Sequence, residues 1–141
     1  MDLELNVTVG DLKGKMQLTG KGHSGHEVAI DYTPPMGDDQ GFTSLELLLV
    51  SLASCSGHTV QFLLGKMGKK VEKLDVKVKG KRRMDEHPTM VTHAHICYAL
   101  KGEGLDKESV EKAVKMAEEK FCPVWAMLRN NVTVTWECSV E

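Results

Sequence analysis

Aromatic residues are scarce in this chain, since Phe, Trp and Tyr together make up 5% of its 141 residues. Eight Met residues are available instead to fill irregular gaps in a core. The hydrophobic share is 41% and the charged share is 27%. That balance excludes a disordered chain and is typical of a packed domain. We therefore expect a single folded domain over residues 1–141.

A strong charge of either sign is also absent, because the formal net charge is -2 and Lys and Arg are spread along the chain. Phosphate binding needs a concentrated basic surface, so nucleic acid is excluded as an obligatory partner. The first nine residues carry neither a basic stretch nor a long apolar run, which predicts no signal peptide. The most apolar segment, residues 45–52, is short and contains Glu46, so we expect no membrane partner. These features predict a cytoplasmic protein, with its thiols kept reduced.

The four cysteines lack CxxC spacing. This excludes a zinc ribbon and a disulfide framework of the secreted type. The cysteines are Cys55, Cys97, Cys122 and Cys138. Reactive thiols or simply buried thiols remain as the two interpretations.

Alternation of apolar and polar residues predicts six strands, at residues 3–9, 15–19, 27–32, 73–82, 90–100 and 132–140. Turn-forming residues separate the first three, at 10–14 and 20–26, and a loop rich in Pro, Gly and Asp follows at 33–42. The fourth and fifth strands form a plausible antiparallel hairpin.

Residues 45–66 are apolar nearly all round, which predicts a buried central helix. Thr43 or Ser44 can cap it, and Glu46 is placed for a capping box with Thr43. A second, amphipathic helix is predicted at 106–120 with Asp106 as its cap, and a short third one after Pro123. This order predicts an α+β fold. A helix apolar on every side needs more cover than one thin sheet gives, so we expect a homodimer.

Cys55 lies in the middle of the first helix among small polar residues, and Cys122 directly precedes Pro123. His58, one turn after Cys55 on the same helix face, is a candidate to hold a thiolate. Pro is favoured in a first helical turn, so Cys122 is predicted at an N-cap, where helix N–H groups favour a thiolate. A core thiol at Cys55 and an incidental thiol at Cys122 are the alternatives. The spacing alone does not bring the two together.

Two cysteine motifs carry a resemblance to a known family. The first is TSLELLLVSLASC at residues 43–55, and the second begins EKFCPV at residue 119 and runs to Leu128. Between them, GKRRMDEHP at residues 80–88 leads into a strand. Together they resemble the OsmC/Ohr superfamily of thiol hydroperoxide reductases, over essentially the whole chain and in the right order. The general OsmC-like branch fits best.

The resemblance implies an OsmC-like fold in which antiparallel sheets surround a buried central helix, and an intertwined homodimer with its sites at the interface. It implies that Cys55 reduces an organic hydroperoxide or hydrogen peroxide and becomes a sulfenic acid. Cys122 then condenses with it to a disulfide, and a dithiol such as a lipoyl group reduces that disulfide. Glu46 is the matching catalytic carboxylate. No metal or other cofactor is implied, because the thiolate supplies the chemistry.

The chain departs from the best-studied branch in lacking its N-terminal Arg, since the first Arg here is Arg82. Lys13, Lys15 and Lys21 are possible substitutes, although Lys lacks the planar bidentate fork of Arg. This departure leaves a second hypothesis open: a non-catalytic member that binds a small ligand or senses redox state.

Glu46 also departs from the branch, because it precedes Cys55 by nine residues where the matching Glu precedes the cysteine by ten. Nine residues turn a straight helix through about 900°, which faces the two side chains away from each other. Helix capping is therefore the alternative role for Glu46.

His93, His95 and Cys97 alternate along one face of the fifth strand. Two of them could share a soft divalent metal with ligands from elsewhere, or they simply meet solvent. Trp125 either lines an apolar pocket or belongs to the core. Cys138 is expected to be structural, as is Cys97 if no metal binds.

Overall fold

The structure is a computed structural model that describes residues 1–10, 15 and 17–141. Its strands are β1 (Asn6–Val9), β2 (Leu18–Lys21), β3 (Glu27–Ile30), β4 (Lys73–Arg82), β5 (Val91–Lys101) and β6 (Thr133–Val140). Its helices are α1 (Ser44–Lys66), α2 (Lys107–Met116), α3 (Pro123–Leu128) and a π-helical turn at Ala117–Phe121. The α+β class and the element order match the sequence-based prediction. The chain divides into an N-terminal unit, Met1–Leu48, and a C-terminal unit, Leu49–Glu141.

The N-terminal unit contains an antiparallel sheet in the order β1-β2-β3. β2 begins three residues later than predicted and runs through Lys21, while β1 and β3 are shorter than predicted. Most of the turn predicted at 10–14 lies outside the described residues. Beyond β3, buried Asp31 organises the predicted loop, because its carboxylate accepts hydrogen bonds from the backbone N–H groups of Tyr32, Asp38 and Gln40.

A capping box starts α1, as the sequence predicts. Thr43 N donates to Oε1 of Glu46 over 3.0 Å, and Glu46 N donates to Oγ1 of Thr43 over 3.2 Å. Two of the backbone donors left over at the helix start are thereby satisfied reciprocally.

The C-terminal unit contains a sheet in the order β4-β5-β6. The predicted hairpin of β4 and β5 is confirmed as an antiparallel pair. The expectation that the sheets are antiparallel is wrong for β6, which runs parallel to β5 because the helices between the two strands form a crossover connection. Because side chains alternate across a strand, β5 buries Ile96, Tyr98 and Leu100 on one side and presents His95 and Cys97 on the other.

α1 and α2 cover the inner face of this sheet. α1 contributes Leu52, Val60 and Leu64, which are fully buried. A methyl group at Gly57 would lie 2.9 Å from Cγ2 of Val76, so α1 approaches β4 closely at this glycine. α2 buries the stripe predicted from its periodicity, Val110, Ala113 and Val114, and Oδ2 of its predicted cap, Asp106, accepts from Ser109 N over 2.9 Å.

The outer face of α1 remains uncovered in the single chain, where Val50 is 44% exposed and Phe62 is 58% exposed. The helix is long and apolar enough to cross a membrane by length and composition, a test that core helices of soluble proteins also pass. The prediction that α1 is covered on every side stays a prediction, since it depends on a second subunit.

Candidate active site

Cys55 lies in the middle of α1 and is half-buried. Its neighbours differ in exposure, because Ser54 is exposed and Ser56 is fully buried. Thr59 anchors the same turn, since its Oγ1 donates to the carbonyl oxygen of Cys55 over 2.8 Å. The Cys55 side chain therefore stands at the boundary between the core and the surface of the C-terminal unit.

Cys122 occupies the N-cap of α3, as its position before Pro123 predicts. Its backbone is extended, and its Sγ accepts a hydrogen bond of 3.5 Å from Trp125 N. The preceding π-helical turn closes with a hydrogen bond of 2.9 Å from Cys122 N to the carbonyl oxygen of Ala117. A π-helical turn contains more residues than an α-helical turn. Cys122 follows this turn and lies in the core, where it is 1% exposed.

The Cys122 thiol holds its proton more tightly than an ordinary thiol. Burial raises the pKa of Cys122 to about 11. The N–H groups of Trp125 and Val124 lower the pKa, as expected at an N-cap, but their effect is smaller than that of burial. The predicted N-cap position of Cys122 is confirmed, and its N–H groups act on the pKa in the expected direction, but burial outweighs them.

The two cysteine side chains lie near each other in the fold. The Cys55 thiol is close enough to the Cys122 thiol to add to the rise in its pKa. Both residues are free thiols. The structure thus brings together α1 and the start of α3, a juxtaposition that the spacing along the chain did not reveal.

Tyr98 and Ser56 border this cysteine pair and were not singled out by the sequence analysis. Tyr98 Oη donates to Oγ of Ser56 over 2.9 Å, and both residues are buried. Burial raises the pKa of Tyr98, and the nearby Cys122 adds to that rise. The available signal was a tyrosine on the otherwise apolar inner face of β5, since a buried tyrosine hydroxyl requires a partner.

Two other sequence candidates also lie in the C-terminal unit. His58 is exposed and lines a surface hollow of about 480 Å³ together with Gln61, Phe62 and Lys66. Trp125 is 1% exposed, which confirms its interpretation as a core residue.

The candidates in the N-terminal unit are engaged locally. Oε1 of Glu46 accepts the backbone N–H of Thr43, which confirms its capping role and lowers its pKa. Lys15 forms an ion pair of 2.6 Å with Asp38, and Lys21 forms one of 3.2 Å with Glu27. The third possible Arg substitute, Lys13, lies outside the described residues.

On the outer face of β5, His93 is exposed and its Nδ1 lies 2.9 Å from Oγ1 of Thr92. His95 and Cys97 instead share a cluster with Glu137 of β6. The sequence analysis missed Glu137 because the parallel pairing of β5 with β6 cannot be deduced from strand patterns. Cys138, on the other face of β6, is half-buried, and burial raises the pKa of its thiol.

Comparison with known proteins shows where the fold belongs. The family model for OsmC-like protein matches residues 37–137. Protein YhfA of Escherichia coli strain K12 is 30% identical over 116 residues, which are 82% of this chain and 84% of YhfA. The crystal structure of a hypothetical protein from Aquifex aeolicus VF5 has a TM-score of 0.81 and 29% identity, and covers 100% of this chain and 98% of its own.

A third comparison has lower identity but the same fold. The organic hydroperoxide resistance protein OhrB of Bacillus subtilis has a TM-score of 0.66 and 18% identity, and covers 96% of this chain and 98% of its own. The family match spans both cysteine motifs and the structural matches span nearly the whole chain, so this protein belongs to the OsmC-like family.

Proposed function

We propose that this protein is a thiol-dependent peroxidase that reduces organic hydroperoxides or hydrogen peroxide through Cys55 and Cys122. The observation that carries the proposal is the proximity of the two thiols, one half-buried and one fully buried, in the C-terminal unit. The fold shared with a protein known as an organic hydroperoxide resistance protein supports the substrate class.

The different exposure of the two cysteines supports the roles that we propose for them. Cys55 is the accessible partner, so its thiolate attacks one oxygen of the substrate O–O bond. The S–O bond forms as the O–O bond breaks, the departing alkoxide takes a proton from solvent, and Cys55 is left as a sulfenic acid. Sulfur is oxidised by two electrons while the hydroperoxide is reduced to an alcohol, or hydrogen peroxide to water.

Cys122 is the resolving thiol in this scheme. Its raised pKa keeps it protonated at neutral pH, so it does not compete for the peroxide. Attack of its sulfur on the Cys55 sulfenic acid forms the S–S bond and expels hydroxide, which leaves as water together with the Cys122 proton. Because the two thiols already lie near each other, we expect this step to require no large rearrangement of the C-terminal unit.

A dithiol restores the two thiols by exchange, and a lipoyl group is the reductant that we propose. Its first thiolate attacks the disulfide, its second releases the mixed disulfide, and the dithiol leaves oxidised. The proposal further includes a cytoplasmic homodimer with its sites at the interface. The proposed reaction uses no metal or other cofactor.

Glu46 is the third residue to which the resemblance gives a catalytic role. Its hydrogen bonds with Thr43 explain its presence without such a role. We therefore assign the reaction to the two cysteines, and the participation of Glu46 is tested separately.

The decisive experiment measures consumption of cumene hydroperoxide and of hydrogen peroxide with dihydrolipoamide as reductant. We expect turnover to vanish in Cys55→Ser, because no sulfenic acid can form. In Cys122→Ser we expect one fast equivalent of peroxide to be consumed and steady turnover to collapse. Cys138→Ser is the matched control, since this half-buried thiol lies on a different strand and should leave both rates unchanged. Equal rates in the intact protein and in Cys55→Ser would rule out the peroxidase.

Redox sensing or ligand binding is the second candidate function. The observation that favours it is that the first Arg of the chain is Arg82, so the N-terminal Arg of the best-studied branch is missing, and Lys lacks the planar fork of Arg. In a sensor, the disulfide of Cys55 and Cys122 forms on exposure to peroxide, but the dithiol does not support repeated turnover. The same assay separates the two functions, because a sensor consumes one equivalent and stops.

A further inference from the structure

Three potential metal ligands meet on the outer face of the C-terminal sheet, away from the proposed reaction. They are His95 and Cys97 of β5 and Glu137 of β6, and one donor atom from each lies within 4.8 Å of the other two. The parallel pairing sets Cys97 directly beside Glu137. His95 and Cys97, two residues apart, lie on the same face of β5.

The distances between the donor atoms suit a single small metal ion. Cys97 Sγ donates to Oε1 of Glu137 over 3.2 Å, and Nε2 of His95 lies 3.6 Å from the same oxygen. Ligands at typical zinc distances in a tetrahedral site lie about 3.5 Å from one another. The three side chains therefore need only small rotations to point their donor atoms at one ion.

A further contact orients the imidazole. Nδ1 of His95 lies 2.7 Å from Oγ1 of Thr135, its register partner on β6. This hydrogen bond occupies Nδ1 and leaves Nε2 directed at the cluster. A histidine that ligates a metal typically has its other ring nitrogen held in this way.

We propose that His95, Cys97 and Glu137 bind one divalent ion of the zinc class, with water completing the coordination. Sulfur, imidazole nitrogen and carboxylate oxygen are all common zinc ligands, and a set that includes a thiolate disfavours magnesium and calcium. On binding, a bond forms between the metal and Sγ of Cys97, and the thiol proton goes to solvent. The site uses neither Cys55 nor Cys122, so the metal-binding proposal does not depend on whether the protein is a peroxidase.

The neighbouring strand sets the electrostatic balance of the site. Lys77 and Lys79 of β4 are the register partners of Cys97 and His95. Their charges favour the thiolate but repel the bound cation. The ligand Glu137 and the metal-bound thiolate offset that repulsion with two negative charges.

Cobalt(II) is the first probe, because a thiolate-to-cobalt charge-transfer band reports directly on a sulfur ligand. The experiment uses the full chain carrying Cys55→Ser and Cys122→Ser, so that the other thiol pair cannot bind the metal. We expect one cobalt ion per chain, displaced by zinc. Zinc affinity is then measured by competition with a chromophoric chelator.

Each ligand substitution has a defined expected result. Cys97→Ser should abolish the charge-transfer band, and His95→Gln and Glu137→Gln should each weaken zinc affinity on the order of 100-fold. Thr135→Val should weaken it roughly tenfold, since it only releases Nδ1 of His95. His93→Gln and Cys138→Ser are the matched controls, and both should bind as the background protein does.

Thermal unfolding of the background protein and of every variant shows whether each is folded. The ligand and control substitutions lie at exposed or half-buried positions, whereas Cys122→Ser in the background replaces a buried thiol. Absence of the charge-transfer band in the folded background protein overturns the proposal. So does zinc affinity that Cys97→Ser leaves unchanged, or that His93→Gln weakens as much as His95→Gln does.

Discussion

The hydroxyl of Tyr98 donates a hydrogen bond of 2.9 Å to Oγ of Ser56, the residue that follows Cys55. Ser56 in turn donates to the carbonyl oxygen of Ala53 over 3.3 Å. The chain of hydrogen bonds links the middle of β5 to the turn of α1 that carries the proposed peroxidatic thiol. We therefore expect Tyr98 to position Cys55 through Ser56.

Removal of the Tyr98 hydroxyl should therefore affect both stability and reactivity. Tyr98→Phe keeps the buried ring and leaves Ser56 its bond to Ala53, so we expect a loss of about 1 kcal/mol in the free energy of unfolding. Ser56→Ala should cost a similar amount, and the double variant should cost less than the two combined. Urea unfolding of the four proteins measures this coupling.

The kinetic readout distinguishes positioning from stability alone. We expect Tyr98→Phe to slow formation of the disulfide between Cys55 and Cys122 more than it slows the first attack on peroxide. Rapid-quench thiol trapping separates the two steps. Additive stability effects together with unchanged disulfide formation would show that Tyr98 has no positioning role.

The buried proton of Cys122 should make stability depend on pH in the alkaline range. Burial raises the pKa of Cys122 to about 11 from an ordinary value of 9.0. Above about pH 9 the unfolded chain releases this proton while the folded chain keeps it, so the free energy of unfolding falls as pH rises and levels off near pH 11. The fall due to Cys122 amounts to roughly 2–3 kcal/mol.

Replacing the thiol isolates this contribution. Between pH 9 and pH 11, Cys122→Ala should reduce the fall in the free energy of unfolding by that amount. Cys138→Ala should leave the contribution of Cys122 to this fall unchanged. Urea unfolding at a series of pH values in reducing buffer provides the measurement. If Cys122→Ala keeps the full slope of the intact protein, the thiol is not buried as the structure has it.

Much of the fold follows from local patterns in the sequence. The capping box of Thr43 and Glu46, the Asp106 cap and the Cys122 N-cap are all confirmed where the sequence predicts them. Each depends on residues within a few positions of one another. The hairpin of β4 and β5 is likewise local and is confirmed.

The features that the sequence did not predict depend on long-range geometry. The parallel pairing of β6 with β5 brings Glu137 to Cys97, residues that are 40 positions apart. The hydrogen bond of Tyr98 spans 42 positions. The depth at which Cys122 is buried could not be predicted for the same reason, because burial is set by elements that the motif does not contain.

Substitution of Glu46 distinguishes a helix-capping role of this residue from a catalytic role. Glu46→Gln keeps an Oε1 acceptor for Thr43 N and loses only the charge near the helix start, so we expect a stability loss of about 0.3–1 kcal/mol. Peroxide turnover should remain within about twofold if capping is its role, since that stability loss leaves nearly all of the protein folded. Thr43→Ala, which removes the other half of the box, should cost about 1 kcal/mol and serves as the structural control.

A different result would indicate that the Glu46 carboxylate takes part in the reaction. Suppose that Glu46→Gln lowers turnover more than tenfold while Thr43→Ala, at least as destabilised, does not. The charge of Glu46 would then act on the thiol or the peroxide, as the resemblance implies.

The uncovered face of α1 makes the proposed homodimer testable. Phe62 is 58% exposed in the single chain, and Nζ of Lys66 lies 5.3 Å above its ring. If a second subunit covers this face, Phe62→Ser removes a buried aromatic side chain from both sides of the interface. Because such aromatics carry much of the energy of an interface, we expect the dimer to dissociate at a protein concentration at least tenfold higher than in the intact protein.

Met127→Ser is the control, since Met127 is 70% exposed but lies on α3. Light scattering across a dilution series gives the mass. A monomer at every concentration would exclude the dimer, and a dimer equally stable in Phe62→Ser would place its interface elsewhere.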